Sequence, residues 1–190
     1  MKDIEIEIQV KIENSKKLKK FLEKNASFQG ETHQIDEYFS PSDENFIETR
    51  PVKKWLRLRK SNKCNFITFK NYYYDEKGKS IYCDEYETEI KDTKKIKSIF
   101  QALNYNSLIV VNKKRKVWNY KDYEIVFDSV KNLGDFIEIE YKGKKEVDPK
   151  KMNNKMIDFL KSFDCGKIKR NHVGYPFLLL FPGESELEEI

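Results

Sequence analysis

The sequence predicts an α+β fold in which antiparallel strands close into a barrel and helices pack on its outside. First, stretches such as IEIEIQVKI (residues 4–12) alternate aliphatic and polar residues, which is typical of strands with two different faces. Second, the polar faces of these strands carry charges of mostly one sign. Third, three segments have the single apolar stripe of an amphipathic helix, and such helices can cover the aliphatic faces of the strands.

The predicted strands each set a polar, mostly charged face against an apolar one. In the first strand the polar face consists of Glu5, Glu7, Gln9 and Lys11. Basic faces follow in WLRLR (55–59), FITFK (66–70) and VNKKRKVW (111–118), and acidic faces in DEYETEI (84–90), YEIVFD (123–128) and FIEIEY (136–141). A solvated face usually mixes signs, because neighbouring like charges repel. Rows of a single sign are therefore expected to face an interior, where they can meet ligands of opposite charge.

Three helices are predicted from their capping residues and apolar periodicity. Asn14 or Ser15 precedes a helix that continues through KKLKKFLEKNA (16–26), and Asp92 caps a second helix. Asp148 and Pro149 begin the third helix. Each of these segments has an apolar stripe that can pack on the aliphatic face of a strand.

Length and composition predict one domain over residues 1–182 and an acidic C-terminal tail over residues 183–190. The net charge of +5 fits an anionic ligand, but the basic residues form no block of the kind that binds nucleic acid. Three cysteines without close pairing indicate reduced thiols and a cytoplasmic protein. The N-terminus lacks the apolar core of a signal peptide and the longest apolar run is short, so no membrane association is expected.

Acidic and basic rows around one interior would suit a polyphosphate that carries a bound metal ion. Mg²⁺ and Mn²⁺ are held by carboxylates, water and phosphate oxygens. Arginine binds phosphate with a planar fork, and lysine binds it as a point charge. Catalysis in such a site would combine positioning with charge neutralisation during attack at phosphorus. The simpler alternative is a sheet whose charged faces lie in solvent.

The ordered set of motifs resembles the CYTH superfamily, the triphosphate tunnel metalloenzymes, over nearly the whole chain. Glu5-x-Glu7 is similar to the start of the family's ExExK signature. HQIDEYF (33–39), LRLR, TFK, an EYE run, KKR and NLGDFIEIE (132–140) then follow in the family's order. The superfamily includes class IV adenylyl cyclases, thiamine triphosphatases and inorganic tripolyphosphatases. The resemblance implies an eight-stranded antiparallel tunnel.

The resemblance also implies roles for individual residues. The expected ligands of Mg²⁺ or Mn²⁺ are Glu5, Glu7, Glu87, Asp128, Glu138 and Glu140. The expected triphosphate clamp consists of Arg57, Arg59, Lys70, Lys113 and Arg115. Glu85 and Glu89 share the face of Glu87, and any of the three can enter the metal site. Asp36 is expected to be structural, with contact to a basic clamp residue as the alternative.

One position departs from the family signature. Its lysine, which touches the substrate in the family, corresponds to Gln9. Lys11 lies two residues further on with the same facing. Either Lys11 takes the catalytic role of that lysine, or Gln9 leaves a site that binds without turnover.

The expected function is a divalent-metal-dependent phosphohydrolase that cleaves tripolyphosphate or an organic triphosphate. A class IV adenylyl cyclase, which forms cyclic AMP and pyrophosphate from ATP, is the first alternative. A non-catalytic sensor of nucleotides or polyphosphate is the second. The expected partner is a triphosphate-containing small molecule, and a homodimer is a further expectation because family members are often dimeric.

Overall fold

The computed structural model describes residues 4–190 and has an antiparallel sheet with four helices. The strands are β1 (Ile4–Glu5), β2 (Glu7–Ile12), β3 (Ser27–Pro41), β4 (Lys54–Ser61), β5 (Asn65–Tyr74), β6 (Ser80–Ile90), β7 (Tyr105–Tyr120), β8 (Tyr123–Val130), β9 (Gly134–Tyr141), β10 (Ile168–Asn171) and β11 (Glu188–Glu189). The helices are α1 (Lys16–Asn25), α2 (Thr93–Ala102), α3 (Pro149–Lys161) and α4 (Gly174–Leu180). The α+β class is therefore confirmed.

The described strands form one sheet in the order β1-β6-β5-β4-β3-β7-β8-β9-β2-β10-β11. This order is open, so the closed eight-stranded barrel is not confirmed. The first strand is split at Ile6 because its two halves have different neighbours. β1 pairs with β6, where Glu5 faces Cys83, whereas β2 pairs with β9, where Glu7 faces Glu140. A single stretch of chain thus contacts strands from two separate parts of the sheet.

Two helices cover the aliphatic face of the first strand, as predicted. Ile8 and Val10 are 1% and 0% exposed and belong to a core cluster with residues of α1, α3, β8 and β9, namely Leu18, Leu22, Ile125, Ile139, Met156 and Leu160. Burial of each such side chain contributes about 1.5–3 kcal/mol. With its aliphatic face held by helices, the strand turns its polar face to the other side of the sheet.

The helix starts follow the predicted caps with one exception. Asp92 accepts a hydrogen bond from the backbone N–H of Lys95, and Asp148 accepts one from Lys151. Ser15 makes no side-chain cap to α1, and the side chain of Asn14 instead accepts from the N–H of Lys16 at 3.0 Å.

Three elements near the C-terminus were not predicted: β10, α4 and β11. β10 extends the sheet beyond β2, with Asn171 opposite Gln9. β11 lies within the predicted acidic tail and pairs with β10, so that Glu188 accepts from His172 at 2.8 Å and ion-pairs with Lys79. None of the helices in residues 4–190 is long and apolar enough to cross a membrane.

Candidate functional site

A cavity of about 190 Å³ lies on the polar side of the strands. It is lined by side chains from β1 through β10 and by the first turn of α4. Among the predicted site residues, the lining includes Glu5, Glu7, Gln9, Arg57, Arg59, Lys70, Glu87, Lys113, Arg115, Glu138 and Glu140. The polar face of IEIEIQVKI is therefore the wall of a cavity, and the alternative of a fully solvated charged face is wrong. Lys11 and Asp128 are the two predicted site residues outside the lining.

Asp36 anchors the basic side of the cavity. Its carboxylate, which is 0% exposed, accepts two hydrogen bonds from the Arg59 guanidinium at 2.7 and 2.8 Å. Nη1 of Arg57 and Nζ of Lys113 lie 3.8 and 3.7 Å from the same carboxylate. One buried carboxylate thus contacts three cations of the predicted clamp. The alternative prediction for Asp36, contact with a basic clamp residue, is therefore correct.

Asp128 has the same role for Arg115. Its Oδ1 accepts from Arg115 Nε at 2.8 Å, and its Oδ2 accepts from the Tyr175 hydroxyl at 3.0 Å. Lys113 lies 3.5 Å from Oδ2. Both carboxylate oxygens of Asp128 accept from the guanidinium of Arg115. Asp128 therefore supports the basic residues of the cavity and does not lie with the predicted metal ligands.

The pKa shifts follow from this packing. Burial would raise the pKa of Asp36, but the Arg59 guanidinium outweighs it and holds the pKa well below its usual range. Burial lowers the pKa of Lys113 to about 8, and the neighbouring Arg115 adds to the effect. With a pKa of about 8, Lys113 is mostly protonated at pH 7, so the basic side remains positively charged.

The carboxylates of the other side are mostly paired with cavity cations. Lys70 forms ion pairs with Glu5 and, at 3.4 Å, with Glu85. Arg57 lies 3.0 Å from Glu87, and the remaining pairs join Glu138 to Arg115 and Glu140 to Lys142. Among the three alternatives on β6, Glu85 and Glu87 line the cavity and Glu89 does not.

Glu7 lies among other carboxylates and has few favourable contacts. Within residues 4–190 no lysine or arginine forms an ion pair with it, and the hydroxyl of Tyr72 donates to it at 3.5 Å. Burial, together with the charges of Glu5, Glu138 and Glu140, raises the pKa of Glu7 to about 8. Burial and Glu5 likewise raise the pKa of Glu140 to about 7. These crowded carboxylates repel one another when they are ionised, and a bound cation would reduce that repulsion.

The donor chemistry of this acidic side fits a hard divalent cation, since Glu5, Glu7, Glu138 and Glu140 supply only carboxylate oxygens. Within residues 4–190, however, no three histidine, cysteine or acidic side chains are already arranged at coordinating distance. Lysine and arginine partners hold three of the four carboxylates. A metal ion would bind by taking carboxylates from these partners, which would free the cations for an anion.

Gln9 and Lys11 occupy different environments. Gln9 lines the cavity, and its Nε2 donates to Glu138 at 2.7 Å. Lys11 donates to the carbonyl of Leu133 at 2.7 Å and lies 4.7 Å from the ring centroid of Phe136, outside the cavity. Strand alternation predicts the same face for both residues, but Lys11 lies too far along β2 to reach the other charges.

Several residues at the site were not among the predicted ligands and clamp residues, including Asp36, Asn171, His172 and Tyr175. Asp36 and Tyr38 are two residues apart in HQIDEYF and therefore lie on one face of a strand. This alternation was the signal that could have placed Asp36 with the basic side chains. The other three depend on β10 and α4, whose position beside β2 and β7 has no local signature in the sequence.

The fold and the site together define a β-rich protein with a cavity whose opposed acidic and basic walls can hold a metal-bound anion. The model of the CYTH domain matches residues 3–169, and the chain belongs to this family. A Methanocaldococcus jannaschii protein named "Putative adenylate cyclase MJ0240" is 32% identical over 166 residues, which span 86% of this chain and 91% of that protein.

Solved structures show the same fold. The PH1819 protein of Pyrococcus horikoshii OT3 is 26% identical and superposes with a TM-score of 0.75, over 93% of this chain and 98% of that one. A Vibrio parahaemolyticus structure described as a putative adenylate cyclase is 16% identical with a TM-score of 0.74, over 94% and 99% of the two chains. At that identity the Vibrio structure supports the fold alone.

Proposed function

We propose that this protein is a divalent-metal-dependent phosphohydrolase that cleaves a triphosphate compound in the cavity, which would serve as the triphosphate tunnel of the family. The observation that carries the proposal is that basic side chains from β4, β5 and β7 and acidic side chains from β1, β2, β6 and β9 line one cavity. Arg57, Arg59, Lys70, Lys113 and Arg115 converge from β4, β5 and β7. Protein carboxylates pair with these five cations, and a ligand with several phosphate groups could take the place of the glutamates among them.

The size of the cavity favours a compact triphosphate. Its volume of about 190 Å³ is below the range of roughly 300–1,000 Å³ that is usual for pockets of drug-sized ligands. A phosphate chain can enter such a space. A second cavity of about 320 Å³ shares the lining residues Glu5, Glu85, Glu87, Glu140 and Lys142 and could hold a group attached to the phosphates. Hydrolysis of tripolyphosphate or of a small organic triphosphate needs only the first cavity, so we place it ahead of a reaction that needs a bound nucleoside.

The chain's own residues can bind and orient the phosphates. Asp36 and Asp128 hold Arg59 and Arg115 as fixed forks, so these guanidiniums need little reorganisation when phosphate oxygens arrive. Water would attack the terminal phosphorus, and the bond from that phosphorus to its bridging oxygen would break. Pyrophosphate or an organic diphosphate would be the leaving group, the attacked phosphorus with the water oxygen would become orthophosphate, and a water proton would pass to solvent. Mg²⁺ or Mn²⁺, held by Glu5, Glu7, Glu138 and Glu140, would neutralise charge on the phosphate oxygens.

A class IV adenylyl cyclase is the second candidate, and the name of the Methanocaldococcus relative favours it. In that reaction the ribose 3′-hydroxyl of ATP attacks the α-phosphorus, and pyrophosphate leaves. The clamp and the metal would be the same. The two reactions differ in which phosphorus lies next to the nucleophile.

Phosphorus NMR of the products tests the proposal. The protein is incubated separately with tripolyphosphate and with ATP, each with Mg²⁺ and then Mn²⁺. We expect orthophosphate, and its formation should be abolished by Glu140→Gln and retained by Glu146→Gln, a matched change in an exposed loop. Pyrophosphate with cyclic AMP from ATP would establish the cyclase instead. Binding without turnover of either compound would establish a sensor.

A further inference from the structure

Gln9 belongs to a row of polar contacts that ends on the backbone. Its Nε2 donates to Glu138 Oε1 at 2.7 Å, and its Oε1 accepts from Nδ2 of Asn171. Oδ1 of Asn171 accepts in turn from the backbone N–H of Val173 at 3.1 Å. Gln9 and Asn171 are 8% and 5% exposed, so water has little access to the contacts between them.

The sheet sets the order of this row. β2 lies between β9 and β10, and Gln9 is directly opposite Glu138 on one side and Asn171 on the other. Three adjacent strands thus present an acid, an amide and a second amide at the same level. The contacts follow from the strand register and not from a chance approach of long side chains.

The chemistry of the donors determines how each amide is turned. The backbone N–H of Val173 can only donate, so the atom of Asn171 that meets it is the carbonyl oxygen. The NH₂ group of Asn171 is then left to donate to Gln9, whose carbonyl oxygen accepts. Gln9 consequently turns its own NH₂ group toward Glu138, an acceptor. Reversal of either amide would bring two acceptors together in a buried site.

We infer that Asn171 is a positioning residue, which holds Gln9 so that its N–H and not its C=O meets Glu138. Arg115 binds the other oxygen of Glu138, so the two contacts together set the direction of that carboxylate in the cavity. A lysine at position 9 would need no such partner, because an ammonium has only donors. The kinetic part of this inference rests on the proposed function, whereas the orientation of the amide does not.

The test compares Asn171→Ala, Asn171→Asp and Gln9→Lys with a matched control. Asn153→Ala serves as the control, because Asn153 is equally buried in α3 and its Nδ2 donates to the carbonyl of Ile81. The first readout is the ¹⁵N–¹H spectrum of side-chain amides in protein without metal or ligand. We expect a Gln9 NH₂ pair with one proton shifted by its carboxylate partner, and loss of this shift in Asn171→Ala. In Asn171→Asp we expect a changed pair of signals, because the NH₂ group would turn from Glu138 to the new carboxylate. The control should leave the Gln9 signals unchanged.

The second readout is turnover of tripolyphosphate with Mg²⁺. Asn171→Ala should lower kcat about tenfold, because Gln9 would no longer be held in its bond to Glu138. This factor corresponds to the loss of one hydrogen bond to a charged group. Asn171→Asp should lower kcat further although it preserves shape, because an acidic residue would turn an acceptor toward Gln9. In a Gln9→Lys background, N171A should cost much less than in the wild type, and N171D should be rescued by the new cation.

The results separate this inference from the proposed function. Unchanged Gln9 amide signals in N171A and N171D would overturn it, as would an equal cost of N171A in the wild-type and Gln9→Lys backgrounds. If neither tripolyphosphate nor ATP is turned over, the proposed function fails, and the amide signals alone then decide the inference. A change in those signals in both variants but not in Asn153→Ala supports it, and unchanged signals overturn it.

Discussion

The substitution Asp36→Asn should strongly destabilise the protein in the absence of ligand. Asp36 is fully buried and holds Arg59 with two hydrogen bonds, while Arg57 and Lys113 lie within 3.8 Å of its carboxylate. Removal of one partner from a buried ion pair costs about 3–5 kcal/mol, since the other charge is left uncompensated. At about 2–4 °C per kcal/mol for a chain of this size, the melting temperature should fall by about 6–20 °C.

The same reasoning predicts a partial rescue by an anion. Tripolyphosphate supplies negative charge to the cations that lose Asp36, so it should raise the melting temperature of Asp36→Asn more than that of the wild type. Differential scanning fluorimetry with and without Mg²⁺ and tripolyphosphate measures both effects. Asp164→Asn is the control, because Asp164 and its partner Lys17 are exposed and such surface pairs contribute little. A melting temperature for Asp36→Asn within 2 °C of the wild type would refute the role of Asp36 as the anchor of the basic wall.

Three other measurements test the site. Mg²⁺ with tripolyphosphate, at about 100 times its dissociation constant, should raise the melting temperature of the wild type by about 5–10 °C, and no shift would count against a triphosphate site. The folded-state pKa of Glu7, about 8, lies above its ordinary value of 4.5, so its contribution to stability is present at low pH and is lost as the pH rises through 8. In EDTA at pH 8.5, Glu7→Gln should therefore raise the free energy of unfolding by more than about 1 kcal/mol, and by progressively less toward pH 5. Urea unfolding measures this, and an equal effect at both pH values would contradict this account. In a steady-state assay, Lys11→Ala should leave kcat/KM within about twofold of the wild type, whereas Lys113→Ala should lower it at least about tenfold. A larger loss of kcat/KM in Lys11→Ala than in Lys113→Ala would place Lys11 in the site.

Alternation along the strands predicted most of the residues that line the cavity, with Lys11 and Asp128 as the exceptions. It placed Glu5, Glu7 and Gln9 on one face, and the structure puts all three in the lining. Capping residues were equally informative for α2 and α3, where Asp92 and Asp148 bond the helix starts as expected. Both signals are local, so they depend on few assumptions about the rest of the chain.

The remaining features depend on which strands become neighbours, and local patterns do not contain that information. Asp128 shares its face with Glu124, but only the pairing of β7 with β8 shows that Arg115 takes up its carboxylate. Asn171 meets Gln9 only because the four-residue strand β10 joins β2. α4 was missed because its leucines are consecutive and Pro176 lies in its first turn, so no helical periodicity is visible.

The divided first strand has a consequence for how the chain folds. Gln9 contacts Glu138 and Asn171, which lie 129 and 162 positions further along the sequence. Pairings over such distances require closure of long loops and form slowly. During synthesis, β2 must therefore wait for β9 and β10, and before α3 forms only α1 of its two covering helices can pack on its aliphatic stripe. Charged residues that interrupt a hydrophobic strand discourage its pairing with other chains. Glu5 and Glu7, which crowd the cavity in the folded protein, thus also discourage pairing of this segment with other chains before it folds.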